Sequence, residues 1–90
     1  MASREEFTER VEKWSTKIGV DYKEIHFRHM KKKWASCSTR GRLTFDPDLL
    51  EKDLEFQDKS IVNEILHFRY PNHGKMFKQM LSAYLKEHIA

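Results

Sequence analysis

The sequence has few of the residues that cross-link or interrupt a chain. Cys37 is the single cysteine, which excludes an internal disulfide and is typical of a reducing compartment. With two prolines and three glycines, the chain shows no linker and no low-complexity segment. No apolar run approaches the roughly 18 residues that a membrane span needs. Residues 1–14 are charged and lack the apolar core of a signal peptide, so we expect a cytoplasmic protein without membrane contact.

Length and charge narrow the class of protein further. The 90 residues predict one small domain, residues 1–90. Hydrophobic residues make up 39% and charged residues 34%, which is typical of a globular chain and excludes a disordered tail. The net charge is +3, because 17 basic residues accompany 14 acidic ones. That balance allows weak attraction to nucleic acid but does not indicate a dedicated nucleic-acid binder.

Periodic hydrophobic residues in the first half of the chain predict a helix followed by three strands. The helix spans 4–18 and ends at Gly19, because apolar residues recur there at helical spacing. Alternation of apolar and polar residues predicts strands within 23–30, 31–38 and 42–45. Arg40-Gly41 is expected to form the tight turn of a hairpin between the last two strands. We expect the three strands to form an antiparallel sheet.

The second half of the chain predicts a short turn and two helices. Residues 46–50 are expected to form a loop or a short helical turn, with a proline at a favourable first position. Asp58 is the expected N-cap of a helix over 59–70 that ends before Pro71. A last helix is expected over 74–88. The sum is an α+β domain of helix, three-stranded sheet, helix and helix.

The stretch 63–73 contains the residues with metal-binding chemistry. On a helical wheel, Asn63 and His67 lie on one face, one turn apart, and Glu64 falls beside His67. The chain turns after Pro71, which brings His73 back toward that face. Two imidazoles and an oxygen ligand can hold zinc with an open position for water, and Glu64 can act as general base. The same pattern also suits an ordinary helix with a half-buried histidine, so both interpretations stay open.

Two segments of the chain carry a combined motif, which consists of Arg28, Met30-Lys31, Trp34, Ser36-Cys37-Ser38, Gly41, the 63–67 motif, His73 and Phe77. With this motif the chain resembles the YgjP-like metallopeptidase family, which is related to the WLM and SprT-like groups of small zincins. The resemblance implies a minimal zincin-like core, in which an active-site helix packs on the sheet and the C-terminal helix supports it. It also implies that a protein or peptide substrate binds as an extended strand along the sheet edge.

The resemblance assigns roles to the residues of the 63–73 stretch and reveals one departure. Glu64 is the implied general base, and His67 and His73 are the implied zinc ligands. Asn63 stands where the family has the first histidine of H-E-x-x-H. The Asn63 side-chain oxygen can replace that ligand with lower affinity, or Glu64 can become a ligand in a set that suits zinc, iron or manganese. The third outcome is that no metal binds.

Two functions follow as hypotheses. The first is a zinc-dependent metallopeptidase, in which a metal-bound water activated by Glu64 hydrolyses a peptide bond. The second is a catalytically inactive zincin-like relative that acts as a protein- or nucleic-acid-interaction module. The basic residues of the predicted hairpin can contact nucleic-acid phosphate, but a solvated strand edge kept charged against aggregation explains them more simply. We also expect Cys37 to be a core-facing strand residue rather than a nucleophile.

Overall fold

The computed structural model describes residues 2–89 of the chain and the side chains of residues 2–86. Its elements are α1 (Arg4–Ile18), β1 (Glu24–Phe27), β2 (Ala35–Cys37), β3 (Arg42–Phe45), a short 3-10 helix (Pro47–Glu51), α2 (Leu54–Leu66) and α3 (Lys75–Ile89). The predicted α+β class and the order of its elements are confirmed. In the described part of the chain, no helix has the length and apolar character needed to cross a membrane.

Helix α1 has the predicted bounds, and both of its ends are capped by local interactions. Ser3 and Glu6 form a reciprocal capping box at the N-terminus. Gly19 ends the helix in the left-handed region, with a φ of 81°, which glycine adopts without steric cost. The apolar face of α1 lies in the core, where Phe7 and Val11 are fully buried.

The sheet is mixed, so the prediction of a purely antiparallel sheet is wrong. The strand order is β1-β3-β2, with β1 parallel to β3 and β2 antiparallel to it. Alternation of apolar and polar residues indicates which face of a strand is buried. The same alternation suits a parallel and an antiparallel neighbour, so it does not indicate the direction of pairing. The parallel register pairs Phe27 with Phe45, and both rings pack edge-on against Phe7. The spacing of apolar residues along the sequence does not predict this aromatic contact between the sheet and α1.

The predicted hairpin between β2 and β3 is confirmed. Gly41 has a φ of 95°, which favours glycine, and its N–H donates to the Ser38 carbonyl at 3.1 Å. The Ser38 hydroxyl accepts hydrogen bonds from the backbone N–H groups of Arg40 and Arg42. Because β3 lies in the centre of the sheet, the hairpin leaves β2 as an edge strand.

Helix α2 begins five residues earlier than expected, and Asp58 is not its N-cap. Asp53 caps the helix by accepting a hydrogen bond from the Phe56 N–H at 2.8 Å. Asp58 is instead buried inside the helix, where it accepts a hydrogen bond from Trp14 Nε1 at 3.0 Å and pairs with Arg10. Asp58 therefore joins α2 to α1, a long-range role that a local capping rule cannot reveal.

The C-terminal end of α2 is also earlier than predicted. The helix ends at Leu66 with His67 as its C-cap, and the next residues form a tighter turn before Pro71. Tyr70 closes this turn by donating its N–H to the Leu66 carbonyl at 2.7 Å. The short helical turn after β3 is confirmed, and α3 begins one residue later than predicted. Phe77 of α3 is buried, whereas the neighbouring Met76 is exposed.

Candidate metal centre

A cavity of about 460 Å³ lies between strand β2 and the C-terminal half of α2. The β2 side of the cavity consists of Lys33 and residues 35–39. The opposite side contains Asn63, Glu64, His67, Phe68, Pro71 and His73. The fold therefore places all four residues predicted for the metal site around one cavity, next to the free edge of the sheet.

The imidazole rings of His67 and His73 meet in this cavity. Their Nε2 atoms are 2.8 Å apart, so one ring donates a hydrogen bond to the other in the tautomer that permits it. Phe77 packs against both rings, with centroid distances of 4.9 Å to His67 and 4.6 Å to His73. His67 follows the last turn of α2, and the turn around Pro71 brings the His73 ring back next to the His67 ring. The buried Phe77 ring restricts both imidazoles and holds their nitrogens toward a common point.

Glu64 is a buried carboxylate that other side chains of the cavity hold in place. It is 8% exposed, and its Oε2 accepts a hydrogen bond from Asn63 Nδ2 at 3.2 Å. Cys37, which projects from β2, lies beside the same carboxylate. Burial, the negative charge of Glu64 and a hydrogen bond to it raise the pKa of the Cys37 thiol to about 11. Cys37 is thus a protonated, partly buried residue packed on the core, as expected from the sequence.

The two imidazoles fit a metal ion as one half of a ligand set. Nitrogen ligands on a tetrahedral zinc, at about 2.0–2.1 Å from the ion, lie about 3.3 Å from each other. The observed 2.8 Å between the Nε2 atoms of His67 and His73 requires only a small separation of the rings. Because Asn63 uses its Nδ2 group on Glu64, its Oδ1 atom is the one left to act as an oxygen ligand.

Glu64 is not placed as a ligand beside the two histidines. Among the described residues, the only group of three His, Cys, Asp or Glu donor atoms within 4.8 Å of one another is His29, Asp46 and Asp48. A set formed by Glu64, His67 and His73 does not meet that limit. The carboxylate of Glu64 would have to leave Asn63 and Cys37 to join the histidines, so it is better placed to accept a proton than to bind the ion.

The group of His29, Asp46 and Asp48 lies at the end of β3, and its central carboxylate already has structural partners. The two oxygens of Asp46 accept hydrogen bonds from the backbone N–H groups of Met30 and Asp48, both at 2.9 Å. These bonds lower the pKa of the Asp46 carboxyl. Asp46 therefore caps the 3-10 helix and ties the connection after β1 to the end of β3. The sequence did not reveal this arrangement, because it joins residues that are 16 positions apart.

A family model describes almost the whole chain. Residues 2–88 match the YgjP-like metallopeptidase domain. The chain belongs to the YgjP-like metallopeptidase family. This finding confirms the resemblance that the 28–41 and 61–77 segments indicated. The family is one of metal-dependent hydrolases, which agrees with a cavity that brings two imidazoles and a buried carboxylate together.

Solved structures of archaeal metallopeptidases have the same fold. The metallopeptidase zymogen jannalysin of Methanocaldococcus jannaschii is 26% identical and has a TM-score of 0.76, covering 87% of this chain and 80% of that one. The metallopeptidase zymogen abylysin of Pyrococcus abyssi is 18% identical and has a TM-score of 0.72, covering 92% and 90%. Among curated proteins, none matches the chain. The fold of this YgjP-like chain is therefore a metallopeptidase fold along nearly its whole length.

Trp34, Tyr70 and His26 have mainly structural surroundings. Trp34 packs edge-on against Phe56 at 5.4 Å, with the Lys52 ammonium 5.0 Å from its ring. Tyr70 is partly buried against the core rather than open to the cavity. His26 is half exposed on the outer face of the sheet and lies 3.3 Å from a Glu24 oxygen. None of these three side chains lines the cavity beside Glu64.

Proposed function

We propose that this YgjP-like chain is a zinc-dependent peptidase whose ion is held by His67 and His73, with Asn63 as the third ligand. The observation that carries the proposal is the convergence of the two Nε2 atoms, 2.8 Å apart, beside the buried carboxylate of Glu64. Asn63 lies one helical turn before His67, so its side chain projects from the same face of α2. An amide oxygen is a neutral and harder ligand than imidazole, so the site should bind zinc more weakly than one with three histidines.

Glu64 is the general base of the proposed reaction. A bound zinc ion supplies Lewis-acid chemistry, polarising the peptide carbonyl and lowering the pKa of water. Glu64 accepts the proton of the attacking water and passes it to the departing amine nitrogen. Asn63 and Cys37 support this role, because both donate toward the carboxylate and keep it directed into the cavity.

The free edge of β2 is the proposed binding site for the peptide. The backbone hydrogen bonds of Trp34 and Ser38 run to the chain of β3, at 2.9 Å in both cases. In an antiparallel pair the alternate residues direct their N–H and C=O groups away from the partner strand. Ala35 and Cys37 therefore direct their backbone groups to the open edge, where an extended peptide can pair with them. Cys37 lines the same cavity as Glu64, so a peptide on this edge passes next to the proposed base.

Metal analysis and one conservative variant test the proposal. We expect the purified protein to bind about one zinc per chain, and removal of zinc by a chelator to abolish peptide hydrolysis. Glu64→Gln keeps the shape of the side chain, so it should retain the zinc and lose hydrolysis by roughly a hundredfold or more.

The matched variant His67→Ala removes a proposed ligand and should lose zinc and hydrolysis together. Loss of zinc in Glu64→Gln would mean that Glu64 is a ligand. A wild-type protein that binds no zinc and shows no thermal shift on zinc addition would contradict the proposal and favour an inactive interaction module.

A further inference from the structure

Lys33 is the only lysine or arginine among the described residues that line the cavity beside Glu64. It lies two residues before β2, in the connection that leads into this edge strand. Its side chain is exposed, and no hydrogen bond or ion pair joins it to another side chain in the part of the chain that the structure describes. The proposed function gives this ammonium group no role.

The positive charge of Lys33 acts inside the cavity and not only at its rim. Burial and the neighbouring Glu64 carboxylate raise the pKa of the Cys37 thiol, and the charge of Lys33 opposes that rise. Lys33 and Cys37 line the same cavity, and Cys37 lies beside the proposed general base. The ammonium group and the Glu64 carboxylate therefore face a common region, next to the strand edge proposed to hold the peptide.

Peptide hydrolysis in this region places a negative charge on the carbonyl oxygen of the peptide. When water adds to the carbonyl carbon, its proton passes to Glu64 and the electron pair of the C=O double bond moves onto the oxygen. That pair then restores the C=O bond, while the C–N bond breaks and the nitrogen takes the proton from Glu64. A cation or hydrogen-bond donor that already lies near the oxygen lowers the barrier to the addition of water.

The other candidate donors of the described cavity are engaged or carry no charge. His67 and His73 are the proposed metal ligands, and Asn63 donates its Nδ2 group to Glu64 at 3.2 Å. Tyr70 has a hydroxyl group, but it packs on the core and does not line the cavity. The serine and threonine hydroxyls on the β2 side are neutral, so an ammonium group has the strongest interaction with an anionic oxygen.

We propose that Lys33 is a catalytic residue of this site, with its ammonium group stabilising the negative charge on the carbonyl oxygen of a peptide held on the β2 edge. This inference rests on the proposed function, because it takes the cavity as the place of hydrolysis. Removal of a buried oxyanion donor lowers kcat by about 100–1,000-fold. Water and salt screen the exposed ammonium group of Lys33, so we expect a smaller loss of about tenfold.

Kinetics of three variants of the zinc-loaded full chain test this role. Lys33→Met keeps a long side chain without its charge, so it should lower kcat about tenfold, leave KM within about twofold and keep the zinc content of the wild type. Lys33→Arg keeps the charge and should recover most of the lost kcat. Lys32→Met is the matched control, because Lys32 is an exposed neighbour that does not line the cavity. It should retain the kcat of the wild type.

A charged inhibitor gives a measurement that does not depend on turnover. A phosphinic peptide carries an anionic oxygen where the carbonyl oxygen of the substrate becomes charged, and an amide peptide of the same sequence does not. Both affinities are measured in the Glu64→Gln background, in which the amide peptide should not be cleaved. Addition of Lys33→Met should weaken the phosphinic peptide about tenfold and the amide peptide less than about twofold.

The Cys37 thiol reports on the position of the ammonium group without zinc or substrate. In protein treated with a chelator, Lys33→Met removes a charge that favours the thiolate, so the folded protein should be alkylated about twofold more slowly at pH 9. Lys33→Arg and Lys32→Met should stay close to the wild-type rate. Equal rates in Lys33→Met and wild type would mean that the ammonium group does not reach the cavity, and would overturn the inference.

The kinetic results separate this inference from the proposed function. An unchanged kcat in Lys33→Met, in a protein that holds zinc and hydrolyses peptide, overturns the inference and leaves the proposed function in place. A raised KM with unchanged kcat also overturns it, because Lys33 would then bind the substrate without stabilising the charged oxygen. A wild-type protein that neither binds zinc nor hydrolyses peptide overturns both.

Discussion

Replacing Asn63 with histidine is the sharpest test of the metal centre. Asn63 is half-buried, lines the cavity and lies one helical turn before His67 in a regular part of α2. A histidine at this position projects its ring from the same helix face and supplies a third imidazole to the proposed zinc site. The substitution also removes the hydrogen bond from Asn63 Nδ2 to Glu64, which is 3.2 Å long.

The expected change in zinc affinity follows from the number of ligands. Structural zinc sites with four ligands bind with about 10–16 kcal/mol, or about 2.5–4 kcal/mol per ligand. The amide oxygen of Asn63 already supplies part of one ligand's contribution, so we expect Asn63→His to add about 2 kcal/mol to the free energy of zinc binding. This gain is roughly thirtyfold in affinity. The metal-free variant should lose about 1 kcal/mol of unfolding free energy, because the bond between Asn63 and Glu64 is gone.

Competition with a chromogenic zinc chelator measures the affinity, and urea unfolding with and without zinc measures the stability. Asn72→His is the matched control, since Asn72 is an exposed neighbour of His73 that does not line the cavity. The control adds the same side chain near the site but outside the helix face, so its zinc affinity should stay close to that of the wild type. Equal affinities for Asn63→His and wild type would refute a zinc site built on this face of α2.

Three further predictions concern the surroundings of the site. The Cys37 thiol has a pKa of about 11, so at pH 8 it should be alkylated about a hundredfold more slowly in the folded than in the denatured protein. The alkylation rate of the folded protein should rise up to pH 11. A rate that reaches a plateau near pH 9 would contradict this prediction. Asp58→Ala should lower the unfolding free energy by about 3 kcal/mol, because the buried Trp14 and the partly buried Arg10 lose their shared acceptor. Urea unfolding measures this loss, and a loss below about 0.5 kcal/mol would contradict the prediction. Gly41→Ala should lower the unfolding free energy by about 1–2 kcal/mol in the same assay, because the φ of Gly41 is 95° and a Cβ would lie 3.2 Å from the Lys23 backbone nitrogen. Unchanged stability would contradict the turn geometry.

Local signals in the sequence identify most elements of the fold. The bounds of α1 follow from apolar spacing and from Gly19, and the β2–β3 hairpin follows from the Arg40-Gly41 turn. The start of α2 was misjudged because Asp53 and Asp58 are equally good N-caps by local criteria. In the structure Asp53 caps the helix, and Asp58 instead accepts a hydrogen bond from Trp14, 44 residues away.

Part of the candidate site can be predicted from the sequence, because its proposed ligands and base lie within eleven consecutive residues. The spacing of Asn63, Glu64 and His67 places them on adjacent positions of one helix, and Pro71 indicates the turn before His73. The distance between the two imidazoles depends on how that turn packs against Phe77 of α3. The contact of Cys37 with Glu64 depends on how β2 lies over α2, and strand alternation does not report which helix a strand faces.

The α+β class, the family and the residues with metal-binding chemistry follow from the amino-acid sequence alone, because periodicity and short motifs are local properties of the chain. The tertiary structure decided which strands are neighbours, since apolar alternation is the same for parallel and antiparallel pairing. It also decided that β2 is an edge strand beside the cavity that Glu64, His67 and His73 line. These features arise only when β1 and β2 pack on opposite sides of β3, an arrangement in which Phe27 and Phe45 both pack against Phe7 of α1.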